Sequence, residues 1–362
     1  MKSLLIPYDI NTTGLRNPYL FQLLRALEFQ PEPLQIQHGF GWLKEERGKY
    51  DVIHLHWPEE LVNSMIPGSF SEEGLTEGQI ESLLNLLLRW KERGSALVLT
   101  VHNEQPHKNH SAMSRELYRR IFGLADLFIH MGEESVNRVA ALFPEESAGK
   151  PYHIIPHGDY SIFPDTISRA AAREQLRIHP DQPVMLTFGA IRSSEELDLG
   201  IDAFKKGSPE DSLYLIAGKI PYPYRSDWRH FTSRRKLFLN RGRVRTVEAV
   251  IPPEEVQLYL NASDLLFIPR FRALNSGNVA LGFTFGKVVA GPEYGVIGEM
   301  LQHRQNPVFN PDDPASVAAA VREGFRLAGM NRGEENRSWC REYLGWERLA
   351  SLYMDAYREA GS

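Results

Sequence analysis

Histidines occur at three places where a predicted strand ends, and their side chains could move protons or bind hydroxyls. His54 and His56 lie in HLHWPEE, His102 and His107 in TVHNEQPH, and His157 in IIPHGDY. An imidazole, with an ordinary pKa of about 6.5, can act as acid, base or hydrogen-bond donor to a phosphate or a sugar hydroxyl. A second interpretation, polar strand-end residues bonded to backbone carbonyls, stays open. No His-Glu-x-x-His spacing indicates a zinc site.

A second group of residues could bind an anion. Arg192 follows a predicted strand in FGAIRSS, Lys219 follows another in LIAGK, and a predicted helix begins at Asn275, Ser276, Gly277 and Asn278. A guanidinium supplies a two-pronged donor, an ammonium a point charge, and a helix N-terminus free amides. Each feature alone is ordinarily a solvated charge or a helix cap. Together they indicate a diphosphate site.

Glycines at strand ends would let a ligand approach the backbone closely. Gly14 follows the first predicted strand in NTTG, and Gly189 follows a later one in FGAIR. Such a glycine more often serves the turn itself, so it is weak evidence alone. Neither Gly-x-Gly-x-x-Gly nor Gly-x4-Gly-Lys-Ser/Thr occurs, which argues against a dinucleotide cofactor and against a P-loop nucleotide hydrolase.

Short apolar runs that alternate with amphipathic helical segments must position these residues. The predicted strands are 3–6, 51–56, 96–101, 127–130, 153–155, 184–188, 213–217, 244–250, 265–268 and 287–290. Continuous apolar strands separated by helices are typical of βαβ units in a parallel sheet. The pattern occurs twice, around a polar passage at 158–182, and helical segments at 314–328 and 336–360 end the chain. We therefore expect an α/β protein with two doubly wound parallel-sheet domains.

The composition excludes several classes of protein. The 362 residues include 41 Lys and Arg against 46 Asp and Glu, a net charge of −5, so a nucleic-acid-binding surface is not expected. Cys340 is the single cysteine, which leaves no intrachain disulfide and no cysteine-rich metal site. The N-terminus lacks the apolar stretch of a secretory signal, and no window approaches the ~18–20 apolar residues of a membrane span. We expect a soluble, cytoplasmic protein.

One basic stretch has two interpretations. Residues 229–245 hold seven Lys and Arg, with aromatic residues between them. A solvated helix is the more ordinary interpretation, because the pattern has no wide apolar face. The other is a weak peripheral contact with anionic lipid, or with a lipid-linked acceptor, at the inner face of a membrane.

Several segments resemble a known family of enzymes. In the second half these are FGAIRSSEELDLGIDAF, LYLIAGK, VIPPEEVQLYLNASDLLFIPR and NSGNVALGFTFGKVVAGP. In the first half, DVIHLHWPE, LVLTVHN and IIPHGDY stand where the family has its strand-end histidines, and GWERLASLYMDAYREA resembles its last helix. The chain therefore resembles the glycosyltransferases of the GT-B fold, and among them retaining family four.

The sequence departs from that family at the donor helix. The family usually carries a Glu-x7-Glu signature, and alignment on Gly286 puts Ala273 and Leu281 at those two positions. Glu195 stands where the family has a lysine after the arginine. Related subgroups carry Ser-Gly in place of the first glutamate, so a transferase remains the leading interpretation.

The resemblance implies two Rossmann-like domains facing across a cleft. It implies an acceptor-binding domain over 1–160, a nucleotide-sugar-binding domain over 161–340, and a last helix over 341–362 that packs on the first domain. The activity implied is transfer of a sugar from a nucleoside diphosphate sugar to the hydroxyl of a glycan or lipid-linked acceptor, in bacterial-type polysaccharide assembly. It needs no metal and no cofactor, because protein cations and amides stabilise the leaving diphosphate.

The resemblance also assigns roles to residues. His102, Arg192 and Lys219 would be catalytic, and the substrate-binding residues would be Gly14, His157, Gly189, Asn275, Ser276, Gly277 and Asn278. Two alternatives stay open. The missing glutamate pair is compatible with a catalytically inactive protein that binds a nucleotide or a partner, and an epimerase or phosphorylase would share the fold.

Overall fold

The computed structural model describes residues 2–10, 18–67, 75–104, 111–220 and 228–361. The chain forms two compact units. The first unit contains the residues up to Gly158 and those from Gly345 onwards, and the second unit is Asp159–Leu344. Each unit is built on its own six-stranded parallel sheet. The α/β class and the two doubly wound sheets predicted from the apolar pattern are confirmed.

Strands and helices alternate along most of the chain. The strands are β1 Ser3–Ile6, β2 Gln35–His38, β3 Val52–Leu55, β4 Ala96–Thr100, β5 Leu127–His130, β6 Tyr152–Ile154, β7 Val184–Phe188, β8 Leu213–Ala217, β9 Val244–Val247, β10 Leu265–Phe267, β11 Val288–Pro292 and β12 Val308–Phe309. The helices are α1 Pro18–Glu28, α2 Phe40–Lys44, α3 Pro58–Met65, α4 Glu77–Glu92, α5 Ala112–Leu124, α6 Glu133–Leu142, α7 Pro144–Ser147, α8 Arg169–Gln175, α9 Ser194–Gly207, α10 Trp228–Leu239, α11 Pro253–Ala262, α12 Gly277–Thr284, α13 Gly295–His303, α14 Pro314–Gly329, α15 Arg332–Tyr343 and α16 Trp346–Ala360.

The first unit has the strand order β2-β1-β3-β4-β5-β6. Every residue of β3 and β5 is buried, because helices cover both faces of a parallel sheet and leave no polar face. The C-terminal helix α16 belongs to this unit, where it packs on α1, β4 and β5. Its Tyr353 and Tyr357 are fully buried. The crossovers diverge between β1 and β3.

The second unit has the strand order β12-β11-β10-β7-β8-β9. With β7 counted as the first strand, this is the order 3-2-1-4-5-6 of the Rossmann fold. Its crossovers diverge between β7 and β10, which pair directly through Leu265 with Met185 and Leu266 with Leu186. That point is where sheets of this type bind ligands, beyond the carboxyl ends of the strands.

Three features differ from the sequence-based expectation. The edge strands β2 and β12 were not predicted, because β2 is the largely polar QIQH and β12 has two residues. The segment 336–360 was predicted as continuous helix, but it forms α15 and α16 with a break at Leu344–Gly345, where the chain passes from the second unit to the first. The polar passage at 158–182 contains α8.

Candidate active site

The loop after β7 holds together three junctions of the second unit. The side-chain amide of Asn278, in the first turn of α12, donates to the carbonyl of Phe188 at 2.8 Å. The backbone N–H of Ile191 donates to the carbonyl of Lys219, which follows β8, at 2.9 Å. The predicted residues Gly189, Arg192, Lys219 and Asn278 therefore belong to one connected region at the carboxyl edge of the sheet.

A close backbone approach explains two glycines in this region. Gly189 has φ +90° and Gly218 has φ +154°, both values that other residues rarely adopt. A Cβ on Gly218 would lie 1.9 Å from the carbonyl oxygen of Gly189. Only glycine at position 218 lets the end of β8 lie this close to the β7 loop. Gly189 itself has no side chain, so a ligand could approach its backbone closely.

A buried ion pair stands at the point where the crossovers diverge. Arg270, three residues after β10, bonds to the carboxylate of Glu196 and donates from Nη2 to the carbonyl of Ala190 at 2.9 Å. Glu196 also accepts from the backbone N–H of Arg192 at 2.7 Å. Arg270 and Glu196 are 9% and 7% exposed, whereas the side chain of Arg192 is exposed. One carboxylate thus fixes both the backbone of Arg192 and the Arg270 guanidinium.

The charges of this cluster favour an anion. Burial lowers the pKa of Arg270 to about 10, and the nearby charge of Arg192 acts in the same direction. Arg270 still carries its proton at neutral pH. Burial raises the pKa of Glu196 above its ordinary value, and the charge of Arg270 opposes that rise. The guanidiniums of Arg192 and Arg270 lie near the same carboxylate, and a guanidinium binds anions through charged hydrogen bonds.

The N-terminus of α12 opens at the same edge. Ser276 is its N-cap, with Oγ accepting from the backbone N–H of Asn278 at 3.3 Å, and Gly277 is its first residue. Asn275 precedes the cap and is partly exposed, as are the next three residues. Ala273 and Leu281, at the glutamate positions of the resembled family, are buried apolar residues. In the described part of this junction, the groups that could bind an anion are therefore arginines and the backbone amides of the α12 N-terminus, and not carboxylates.

The first unit has its own polar cluster, where the crossovers diverge between β1 and β3. The hydroxyl of Tyr8, two residues after β1, accepts from the backbone N–H groups of His56 and Trp57, each at 2.9 Å. Burial raises the pKa of Tyr8 far above its ordinary value, so the phenol stays neutral. Tyr8 therefore holds the turn after β3 in place.

His102 and His56 form a buried imidazole pair in this cluster. His56 Nδ1 lies 3.0 Å from His102 Nε2, and the Trp57 ring stacks on His102 with 4.4 Å between centroids. The other ring nitrogen of His56, Nε2, is buried and has no hydrogen-bond partner among the residues that the structure describes. Burial lowers the pKa of His56 well below its ordinary value, and the charges of His54 and His102 add to this. His56 is therefore neutral. It can share a hydrogen bond with His102, and it adds no positive charge that would oppose protonation of His102.

The remaining histidines differ in their surroundings. His54 bonds through Nε2 to Thr100 at 2.7 Å and through Nδ1 to the Tyr357 hydroxyl at 2.8 Å, and burial lowers its pKa to about 3. His54 thus joins β3 to β4 and to α16, and both of its ring nitrogens bond to side-chain hydroxyls and not to backbone carbonyls. His157 donates from Nδ1 to the Gly158 carbonyl at 2.7 Å, and burial lowers its pKa to about 4.

Tyr19 connects His157 to the imidazole pair. The Tyr19 ring lies 5.0 Å, between centroids, from the rings of both His102 and His157.

Gly14 and His107 lie outside the described residues. Within the described ranges, no group of three or more His, Cys, Asp or Glu side chains is arranged to hold a metal ion.

Comparisons with known proteins identify the type of enzyme. No protein-family model matches the chain. It is 26% identical over 349 residues, 95% of this chain and 88% of the other, to a GDP-mannose:glycolipid 4-beta-D-mannosyltransferase of Xanthomonas campestris pv. campestris. A second protein of the same description from that species is 26% identical over 278 residues, 76% of this chain and 70% of the other.

Solved structures show the same fold over the whole chain. Sucrose-phosphate synthase of Thermosynechococcus elongatus superposes with a TM-score of 0.66 and 17% identity, covering 99% of each chain. HepE of Anabaena, solved in complex with UDP-glucose, superposes with a TM-score of 0.66 and 13% identity, covering 99% of this chain and 100% of the other. The chain is a glycosyltransferase of the GT-B fold. The finer resemblance to retaining family four stays a prediction.

Sequence reasoning did not predict a role for two residues of this glycosyltransferase, Arg270 and Glu196. Arg270 lies just beyond a buried strand, which is the same sequence signal that marks Arg192. Glu196 stands four residues after Arg192 and was read only as part of a helix. Their pairing joins two loops 74 residues apart, and local sequence contains no sign of such a contact.

The ion pair predicts a pH-dependent loss of stability in Arg270→Ala. Removing one partner of a buried pair typically costs about 3–5 kcal/mol. Without the cation, the pKa of Glu196 rises further. A carboxyl whose folded pKa exceeds its unfolded pKa favours the folded state at low pH and loses that contribution as the pH rises through the folded value. Urea unfolding should therefore show a larger loss at pH 8 than at pH 5.

The double variant Arg270→Ala with Glu196→Gln is the matched control. It has no carboxyl to titrate at this position, so the loss of stability that grows from pH 5 to pH 8 in the single variant should not grow in the double variant. Equal losses for the single variant at pH 5 and pH 8 would contradict the assigned role of Glu196.

Proposed function

We propose that this glycosyltransferase moves a hexose, mannose in the first instance, from its GDP donor to a hydroxyl of a glycolipid in bacterial polysaccharide assembly. The observation that carries the proposal is the positive cluster of Arg192, Arg270 and the α12 N-terminus where the crossovers of the second unit diverge. The choice of GDP-mannose and of a glycolipid rests on the Xanthomonas mannosyltransferases, whose description names both.

In this proposal the second unit binds the donor. Arg192 and Lys219 hold the diphosphate, together with the N–H groups that open α12 at Ser276, Gly277 and Asn278, and Asn275 lines the same opening. Gly189 admits the sugar or diphosphate close to the backbone. As the bond between the sugar and the diphosphate breaks, negative charge accumulates on the leaving oxygen. Preorganised cations and amides stabilise that charge without reorganisation, so neither a metal nor a cofactor is needed.

The first unit binds the acceptor and supplies the base. His102 takes the proton of the acceptor hydroxyl as its oxygen attacks the anomeric carbon, His56 holds the His102 ring, and Gly14 and His157 contribute to substrate binding. The Xanthomonas description specifies a β-linked product, whereas GDP-mannose carries an α-linked sugar. One displacement with inversion, assisted by a base, accounts for that change. We therefore propose inversion in place of the retention implied by the resemblance to family four.

A second candidate function rests on a specific observation. The two signature positions of the resembled family hold the buried apolar residues Ala273 and Leu281, so carboxylates that usually contact the ribose and the sugar are absent there. A glycosyltransferase-like protein that binds the nucleotide but transfers no sugar would fit this departure. The assay below separates the two functions.

We propose that the protein works on the cytoplasmic side of the membrane, where nucleotide sugars are made. Among the helices in the described ranges, none is long and apolar enough to cross a bilayer. In this proposal the glycolipid acceptor is reached from the membrane surface.

The transfer assay tests the function directly. We expect release of GDP from GDP-mannose to depend on a detergent-solubilised glycolipid acceptor, with less release from UDP-glucose or UDP-galactose and no loss of activity in EDTA. The product should carry a β-mannosidic bond by NMR. Binding of GDP without transfer to any acceptor would favour the inactive protein, and loss of activity in EDTA would contradict the metal-free mechanism.

Calorimetry tests the diphosphate pocket. Charged hydrogen bonds contribute roughly 1.5–3 kcal/mol each, so Arg192→Ala and Lys219→Ala should each weaken GDP binding by about ten- to a hundredfold. Guanosine, which lacks the diphosphate, should bind them as it binds the wild type. Lys205→Ala, at the opposite end of α9, is the matched control for a lost cation. Wild-type GDP affinity in both pocket variants would remove these residues from the site.

The role of His102 predicts a selective kinetic defect. His102→Ala should lower kcat by about a hundred- to ten-thousandfold, the usual contribution of a positioned base, while the affinity for GDP stays close to that of the wild type. His153→Ala removes an imidazole of the same unit that bonds to Glu359, and it should retain its kcat. An unchanged kcat in His102→Ala would exclude His102 as the base.

A further inference from the structure

Helix α10 of the second unit exposes large apolar side chains. Phe231 and Phe238 are each 61% exposed, and Leu239 is 68% exposed. Phe231 and Phe238 are seven residues apart, so they lie on one face of the helix, two turns from each other. An aromatic side chain exposed to this extent leaves most of its apolar area in water, and two on one face with a leucine beside them form a narrow apolar stripe.

The described cations of α10, together with Arg241 just after it, divide into those with and those without a carboxylate partner among the described residues. Arg234 is paired with Glu248 at 2.6 Å, and Lys236 lies 3.4 Å from Asp198 and 3.1 Å from Asp202. These pairs direct one side of the helix towards its own unit.

On the exposed side, Arg235 and Arg241 have no carboxylate partner among the described residues. The Arg241 guanidinium lies over the Phe238 ring, 4.4 Å from its centroid. Helix α10 contains no Asp or Glu, and the carboxylates that pair with its described cations are Glu248, Asp198 and Asp202. The apolar stripe is thus bordered by unpaired positive charge, in a chain whose net charge is −5.

We propose that Phe231, Arg235, Phe238, Leu239 and Arg241 form a surface that docks on an anionic lipid bilayer. The aromatic and leucine side chains enter the boundary between headgroups and acyl chains, and the two guanidiniums bind lipid phosphates. Arginine beside exposed phenylalanine complements the negatively charged, apolar boundary of such a bilayer. The site is small, so the contact is weak and reversible.

This inference deepens the proposed function, because a protein that takes a glycolipid acceptor must meet it at a membrane surface. The docking itself needs neither donor nor acceptor, so it can be tested separately from transfer.

Vesicle flotation tests the surface. We expect the wild-type protein to float with vesicles of phosphatidylcholine and phosphatidylglycerol, and not with phosphatidylcholine alone. Each arginine near an anionic surface is worth about 1 kcal/mol, so Arg235→Gln with Arg241→Gln should weaken binding about thirtyfold. Phe231→Ser with Phe238→Ser should weaken it by at least as much. Phe29→Ser, which removes a phenylalanine that is 77% exposed in the first unit, with Arg47→Gln is the matched control and should bind as the wild type does.

The outcomes separate the alternatives. Absence of flotation by the wild type, or equal flotation of all variants, would overturn the docking surface. A wild-type dimer in light scattering that the phenylalanine variant abolishes would instead make this face an interface between two copies. Far-ultraviolet circular dichroism and melting curves identify any variant that fails to fold, and the arginine variant keeps the test decisive if the phenylalanine variant does not fold.

Transfer to a short, water-soluble acceptor analogue distinguishes failure of docking from failure of the proposed function. The docking variants should turn over this analogue as the wild type does. A wild-type protein that floats but transfers no sugar would retain the docking surface while the proposed function fails.

Discussion

The carboxylate of Glu196 is the interaction on which the candidate donor site depends. Two arginines in one partly desolvated place repel each other, and each also loses hydration. Glu196 offsets both costs by bonding to the Arg270 guanidinium and to the backbone N–H of Arg192. The pair also joins the β10 and β7 junctions, since Arg270 donates to the carbonyl of Ala190. Glu196 therefore holds Arg192 and Arg270 near each other at the place where we propose that the donor binds.

The polar cluster of the first unit differs from that of the second, because several of its titratable groups are uncharged. Burial lowers the pKa of His54, His56 and His157 and raises that of Tyr8, so these groups carry no charge near neutral pH. A neutral imidazole can donate and accept in turn, which suits a group that receives a proton. The second unit presents fixed charge and the first presents uncharged donors and acceptors, a division that matches an anionic donor and a hydroxyl acceptor.

Particular residues show how far the sequence could predict the site. Arg192, Lys219 and the opening of α12 were recognisable because each follows directly from the end of a strand or the start of a helix. The histidines were recognisable as a set. Sequence could not separate His54, whose two ring nitrogens bond to Thr100 and Tyr357, from His56, whose Nε2 has no partner in the described part of the chain. That difference depends on α16, which lies some 300 residues further along the chain.

The sequence by itself determined the class of the protein. Its apolar runs are long enough for buried strands, helical segments lie between them, and several motifs resemble those of glycosyltransferases. These are local properties, set by hydrophobic periodicity and by glycine and proline in the turns. Only the tertiary structure decided the order of the strands, the Arg270–Glu196 pair, the polar edge strand β2 and the break between α15 and α16. Each of these depends on contacts between residues far apart in the chain. Such contacts form because folding brings strand ends together at one edge of a sheet, and no local pattern records which ends will meet.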